Sequence, residues 1–309
     1  MDTAEKKSVI HKAALCTPGA TDRAQRLYDY LDDIRGKNIL LAQQETPVRG
    51  KHEQEMEYLL KVTGKLPAIR GLDYIHDDYE GVNKRAIRWN ERDGIVTICW
   101  HTGVEGIGYQ ECKEETPDFE KLLTSGTAEN GLLLRRWDNT ARALLKLQEE
   151  DIPILWRPFH EFDGGWFWWG KNGGEWFVRL WREMYRIFTQ DYGLKNLIWV
   201  LGYADDVLDG WYPGDEYCDV IGSDTYRGVT TNAESYRRCQ RLCGDKPLAF
   251  HECGIFPEPD RFFDEDEDAV WSWVMPWHSK WLMEDNPPAL LQRIYKDERM
   301  LTLDQILVI

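Results

Sequence analysis

The chain has 309 residues, 42% of them hydrophobic and 30% charged, an ordinary globular composition long enough for one large core. Its formal net charge of −16 argues against nucleic acid and against an anionic membrane surface, both of which call for basic patches, and leaves a neutral polymer as a compatible partner. No apolar run reaches the length of a membrane span. The opening MDTAEKKSVIHKAALCTPG has no apolar stretch of the kind a signal peptide needs, which reads as a cytoplasmic protein, or as an exported one whose leader has been removed. Seven cysteines without a paired C-x-x-C pattern leave at least one thiol unpartnered and mildly favour a reducing compartment.

Residues 1–20 read as a loose lead-in. TDRAQRLYDYLDDIR (21–35) follows with Thr21 as helix N-cap. NILLAQQE is then a short apolar run that turns polar at its end, as a buried barrel strand does at its functional face. The same unit recurs, with helical HEQEMEYLLKVTG before KLPAIRGLDY, GVNKRAIRWNER before GIVTICWH, and LLLRRWDNTARALLKLQEE before DIPILWRPFHE. EWFVRLWREMYRIFTQ precedes NLIWVLGY, CDVIGSDTY comes next, and AESYRRCQRLCG leads into KPLAFHECG. AVWSWVMPW and a closing helical stretch near PPALLQRIYKD end the series. Cys239 and Cys243, four apart on one helical stretch, read as packing residues, and DEDED at 264–268 as a solvated acidic loop.

The strand-like runs lie near 38–44, 66–72, 94–101, 152–159, 196–202, 218–224, 247–252 and 269–276. Strands alternating with helices imply parallel pairing and right-handed crossovers, and eight such units imply a closed (β/α)8 TIM barrel of the α/β class. A doubly wound sheet would want a Gly-rich phosphate turn after an early strand, and NILLAQQETPVRG has none. With no linker, repeat or low-complexity segment, residues 1–309 read as one catalytic domain, expected to be a monomer.

Catalytic side chains of a barrel sit at the C-terminal ends of strands. Those ends carry Gln43, Gln44, Arg70, Trp100, His101, Arg157, His160, Glu161, Asp224, Tyr226, His251, Glu252 and Trp277. Glu161 and Glu252 end the fourth and seventh strands, three apart in a ring of eight, so their ends face each other across the mouth. Glycosidic cleavage needs such a pair: one carboxylic acid to protonate the leaving oxygen, one carboxylate to capture or stabilise the oxocarbenium-like centre. A retaining enzyme sets them about 5–5.5 Å apart and an inverting one about 6.5–9.5 Å.

The surroundings fit that chemistry. Phe162, Trp166, Phe167, Trp168 and Trp169 would form an apolar wall that keeps Glu161 protonated. Arg157 and Tyr226 are placed to donate to an ionised Glu252, and His101 and His160 to hold sugar hydroxyls. There are 15 Trp, many beside Gly, which suits flat rings lining a sugar cleft. In DGGWFWWGKNGGEW the adjacent Trp168 and Trp169 suit a loop that presents rings to such a cleft; at least Trp166 is expected to stack on sugar, the alternative for the others being to pack beneath the loop. Other chemistries lack their signatures: HEFDG and HECGI do not extend to H-E-x-x-H, and there is no G-x-S-x-G elbow, phosphate loop or strand-end Lys. No cofactor or metal is expected.

WRPFHEFDGGWFWWG resembles the acid/base signature of glycoside hydrolase family 26, whose usual form is close to RP-x-HE-x-NGGWFWWG and which includes many endo-β-1,4-mannanases. KNILLAQQE, GIVTICWH, YPGDEYCDVIGSDTY and KPLAFHECG resemble the family's first, third, sixth and nucleophile strands, so the resemblance spans roughly residues 21–285. It implies Glu161 as acid/base and Glu252 as nucleophile. It further implies that His101, His160 and Trp166 line the subsite of the cleaved sugar, that Arg157 and Tyr226 support Glu252, and that Trp277 forms the floor. Three positions depart from the pattern: Asp163 replaces the usual Asn, His251 precedes the nucleophile in place of a small or polar residue, and His278 stands where some mannanases carry Arg. The expected activity is a retaining endo-β-1,4-mannanase acting on β-mannan. The alternatives are a mixed-linkage glucanase, a xylanase, a mannobiose-releasing exo-enzyme and a non-catalytic carbohydrate-binding protein.

Overall fold

Local signals in the chain set most element boundaries of the computed structural model, which describes residues 13–204, 206–264 and 269–306. Residues 1–12 of the lead-in and 265–268 of the acidic run lie outside the described residues. The barrel strands are β1 (Ile39–Gln44), β2 (Ile69–Asp73), β3 (Ile95–Cys99), β4 (Ile154–Arg157), β5 (Leu197–Tyr203), β6 (Val220–Val229), β7 (Leu248–Ile255) and β8 (Trp273–Pro276). Between and around them run α1 (Asp22–Ile34), α2 (Gln54–Thr63), α3 (Tyr79–Asn90), α4 (Tyr109–Glu114), α5 (Phe119–Leu122) and α6 (Ala128–Glu149). The second half adds α7 (Gly174–Arg186), α8 (Ala233–Cys243), α9 (Pro259–Phe262), α10 (Lys280–Met283) and α11 (Pro288–Ile294). Thr21, Asp78 and Thr127 cap α1, α3 and α6 by accepting from the backbone N–H groups of Ala24, Gly81 and Asn130 at 3.1–3.2 Å.

Each strand pairs in parallel with the next, and β8 and β2 both flank β1, which closes the ring. A further two-residue strand, β9 (Met300–Leu301), lies beside β1. Every residue of β1 to β5 is buried, because one face points into the barrel and the other against the helices. Alternation sorts the apolar residues into two cores. Leu40, Ala42, Leu155, Val200, Ala249 and Trp273 fill the barrel, whose floor is closed by Leu27 and Leu31 of α1. Leu41, Trp156, Trp199, Leu201 and Phe250 face the helical layer. Cys239 and Cys243 of α8 belong to that outer core.

The tryptophans correct the reading of their excess as cleft lining. Nine of them, Trp168 and Trp169 included, are among the largest fully buried side chains, so the aromatic excess mainly fills this outer shell. Trp168 and Trp169 donate their indole N–H groups to the carbonyls of Thr102 and His160, at 2.7 and 2.9 Å. That meets the polar requirement that had argued against a core role. Trp166 alone of the three is open, at 40% exposure.

Candidate active site

The two strands that carry the glutamates reach the mouth differently. On β4, alternation points Leu155 inward, Trp156 outward and Arg157 inward. The strand stops there, short of the expected 159, because Phe159 and Glu161 adopt left-handed backbone angles, φ 52° and 53°. Glu161 therefore sits on the loop just past the strand, its backbone N–H donating to the Gly202 carbonyl of β5 at 2.7 Å. On β7, Ala249 points inward and Phe250 outward, so His251 points inward and strict alternation would turn Glu252 away from the cleft. The register resolves this: Ser223 opposes Phe250, but Asp224 opposes Glu252, leaving His251 as an extra residue. This β-bulge re-aims Glu252 into the mouth.

Glu252 is 2% exposed. Its Oε1 accepts from Arg157 Nη1 at 3.2 Å and its Oε2 from the Tyr226 hydroxyl at 2.9 Å, and His160 Nε2 lies 3.8 Å from Oε1. Burial holds its carboxyl above the ordinary carboxylate range, and Arg157, Tyr226 and His101 offset only part of that. Glu161 has weaker help. Its Oε2 accepts from Trp166 Nε1 at 2.9 Å, while burial, then the charge of Glu252, pushes its pKa up to about 8. Glu161 is thus the carboxyl with less to stabilise its ionised form, which suits it to the role of acid, and Glu252 the one held by a guanidinium and a phenol, which suits it to the role of nucleophile.

The other groups surround this pair. His101 presents Nδ1 to Asp73 Oδ2 at 2.6 Å; burial opposes its charge, and Asp73 outweighs burial, so its pKa lies above the ordinary value. Burial, with the neighbouring His101 and Arg157, holds His160 well below the ordinary histidine range, so it is neutral. Gln44 Oε1 accepts from Arg157 Nη2 at 3.0 Å, and Gln43 donates to the carbonyls of Pro276 and Trp277, fixing the turn that carries Trp277. Among the described residues, two sets of side chains have ligand-type atoms within 4.8 Å of one another, Asp73–Cys99–His101 and Asp224–His251–Glu252. In each, the histidine Nδ1 is already bound to the aspartate, and Arg157 lies against the second set, so both work as hydrogen-bond networks.

Glu161, Glu252, His101, His160, Trp166, Tyr226 and Trp277 all line one cleft of ≈ 440 Å³, and Arg157 backs it. A larger cavity of ≈ 670 Å³ adjoins it between the β1 and β2 loops, lined by Arg49, His52, His76 and Arg85 among others. Neither glutamate reaches that cavity, so the carboxylate chemistry belongs to the smaller cleft.

The model of glycosyl hydrolase family 26 matches residues 16–305. The chain belongs to glycosyl hydrolase family 26. Among its relatives, a mannan endo-1,4-beta-mannosidase of Thermothelomyces thermophilus is 32% identical across 95% of this chain and 63% of its own length. Mannan endo-1,4-beta-mannosidase B of Piromyces is 30% identical across 94% of this chain and 53% of its own. This chain therefore spans little more than half to under two thirds of those relatives. The solved β-(1,4)-mannanase of Podospora anserina superposes with a TM-score of 0.86 at 31% identity, covering 95% of this chain and 69% of that one. The β-mannanase from a symbiotic protist of the termite Reticulitermes speratus, solved with a gluco-manno-oligosaccharide, superposes at 0.87 and 28% identity, covering 95% and 97%.

Within this family 26 site, some strand-end residues stand elsewhere than expected. Arg70 is drawn away by Glu45 and Glu53, at 2.6–3.0 Å. Trp100 is buried in the outer core. Phe162 stacks on Phe177 at 4.0 Å between centroids, so the wall beside Glu161 is Trp166 and Phe167, with Trp168 and Trp169 beneath. Tyr109, Lys113 and Trp281 also line the cleft and were not singled out. Trp281, four residues after Trp277, was the more legible of them; Tyr109 follows the Gly-rich GVEGIG.

Proposed function

We propose that this chain is a retaining endo-β-1,4-mannanase that cleaves β-mannan by double displacement, its catalytic barrel acting as a monomer. The observation that carries the reading is the unequal company of two carboxyls in one cleft: Glu161 beside an apolar wall with its pKa pushed up to about 8, and Glu252 receiving hydrogen bonds from Arg157 and Tyr226. In the first step Glu252 attacks the anomeric carbon while Glu161 gives its proton to the departing oxygen, leaving a glycosyl ester on Glu252. In the second, Glu161, now a carboxylate, takes a proton from water as that water attacks the same carbon and releases Glu252. His101 and His160 face the sugar hydroxyls, and Trp166 and Trp277 offer ring faces for stacking. Mannan as substrate is supported by the names of the relatives.

The test is a product profile on mannan, glucomannan, galactomannan, lichenan and xylan. The expected result is an early ladder of manno-oligosaccharides from the mannans. Mannobiose alone from the first time points would make it an exo-enzyme, and release only from lichenan or xylan would reassign the substrate. Glu161→Ala is expected to lower kcat on mannan by about 10²–10⁴-fold, and Glu252→Ala at least as much. Hydrolysis unaffected by both changes would overturn the assignment.

A further inference from the structure

We infer that His251 is a positioning residue for the nucleophile: fixed as its Nδ1–H tautomer between Asp224 and Arg157, it aims the Arg157 guanidinium at Glu252. The inference rests on Glu252 as the nucleophile. His251 is fully buried; its Nδ1 lies 2.5 Å from Asp224 Oδ1 and its Nε2 2.9 Å from Arg157 Nη1. A guanidinium only donates, so Nε2 must be the bare, accepting nitrogen, and the proton resides on Nδ1 and is donated to Asp224.

That order has a consequence for Arg157. Of the two hydrogens on Nη1, one goes to His251 and the other to Glu252 Oε1 at 3.2 Å, while Nη2 is held by Gln44. Both orienting acceptors are uncharged. They fix the plane of the guanidinium and leave its positive charge to the nucleophile, whereas a carboxylate at position 251 would compete with Glu252 for it.

The surrounding backbone makes room for this arrangement. His251 is the extra residue of the β7 bulge. It enters the barrel between two strand glycines. A Cβ at Gly202 would stand 2.6 Å from the imidazole Cε1 and Nε2, and one at Gly222 would stand 2.7 Å from the His251 Cβ.

The experiment compares His251→Asn, His251→Gln, Gly202→Ala and the double variant Gly202→Ala/His251→Asn. Each is assayed on the preferred polysaccharide of the wild-type chain and on a dinitrophenyl β-glycoside, whose leaving group needs no acid. Asn keeps a donor for Asp224 but has nothing at the Nε2 position; the Gln oxygen reaches that position. His251→Asn is expected to lose about a hundredfold in kcat on both substrates, the scale of an ångström-sized misplacement, with KM nearly unchanged. His251→Gln is expected to recover most of that loss. Gly202→Ala, which presses on the imidazole and removes no polar group, is expected to lower kcat in the parent and to add little in the His251→Asn background.

Wild-type kcat in His251→Asn would overturn the inference. So would a loss that the dinitrophenyl leaving group repairs, which would place the defect on Glu161. Equal losses in Asn and Gln that track the thermal midpoint would make His251 a packing residue. Glu252→Ala separates the two layers: if it is inactive while His251→Asn is not impaired, the positioning role alone fails, and if it is active, the nucleophile assignment fails.

Discussion

At the scale of single residues, the division of labour proposed for Glu161 and Glu252 rests on unequal company. Glu252 is buried and Glu161 half-buried, but Glu252 receives a guanidinium and a phenol, and Glu161 one indole N–H. That indole stabilises the ionised form and so works against the raised pKa of about 8. An acid catalyst must be protonated, so activity falls as pH rises through the Glu161 pKa. Trp166→Phe removes the donor, lifts that pKa further and moves the alkaline limb of kcat/KM to higher pH. It also lowers activity at the optimum about tenfold, the size of one hydrogen bond to a charged group. A pH–rate profile checks this; an alkaline limb that stays or moves to lower pH would show that the indole does not govern Glu161.

At the scale of elements, loop anchoring and strand register decide where these side chains point. Asp163, in the turn after Glu161, accepts from the backbone N–H of Ala204 at the end of β5 at 2.7 Å, and burial raises its pKa. An amide oxygen fills the same role, so the turn accommodates Asn at this position equally well. Asp163→Asn is expected to change activity and stability by less than about 0.5 kcal/mol. Asp163→Ala, which leaves the Ala204 N–H without its acceptor, should cost about 1–3 kcal/mol; denaturant unfolding of the two variants checks both. The alternation of apolar runs was legible in the sequence because each strand is buried on both faces, and so was Thr21 as a cap. The bulge at His251 was not, because a one-residue shift in register depends on the neighbouring strand. The same blindness left Trp168 and Trp169 open between cleft and core: a Gly-Trp loop looks alike whether its rings face one or the other. Arg70 was misplaced for a related reason, since its partners Glu45 and Glu53 lie on other segments. That the two glutamates would share one cleft was legible because the barrel rule and the signature around Glu161 pointed to the same end of the barrel.

For the whole molecule, the site exacts a cost in stability that pH exposes. Unfolded, Glu161 titrates near the ordinary carboxylate value of about 4.3; folded, it titrates at about 8. Between those values the folded chain keeps a proton that the unfolded chain has released, so this group makes stability fall as pH rises. Glu161→Gln removes the titration. It is expected to be more stable than the parent above about pH 5, by a margin that widens toward pH 8, as thermal unfolding at several pH values would register. A margin that does not change with pH would mean that Glu161 is not held protonated by the fold. The double-displacement reading itself is most directly tested by trapping the enzyme with a 2-deoxy-2-fluoro-β-mannosyl fluoride and mapping the adduct by peptide mass spectrometry. The reading predicts one covalent sugar, on Glu252, that forms as activity is lost and departs as activity returns. An adduct on another residue, or steady turnover to an α-configured product with no adduct, would contradict it.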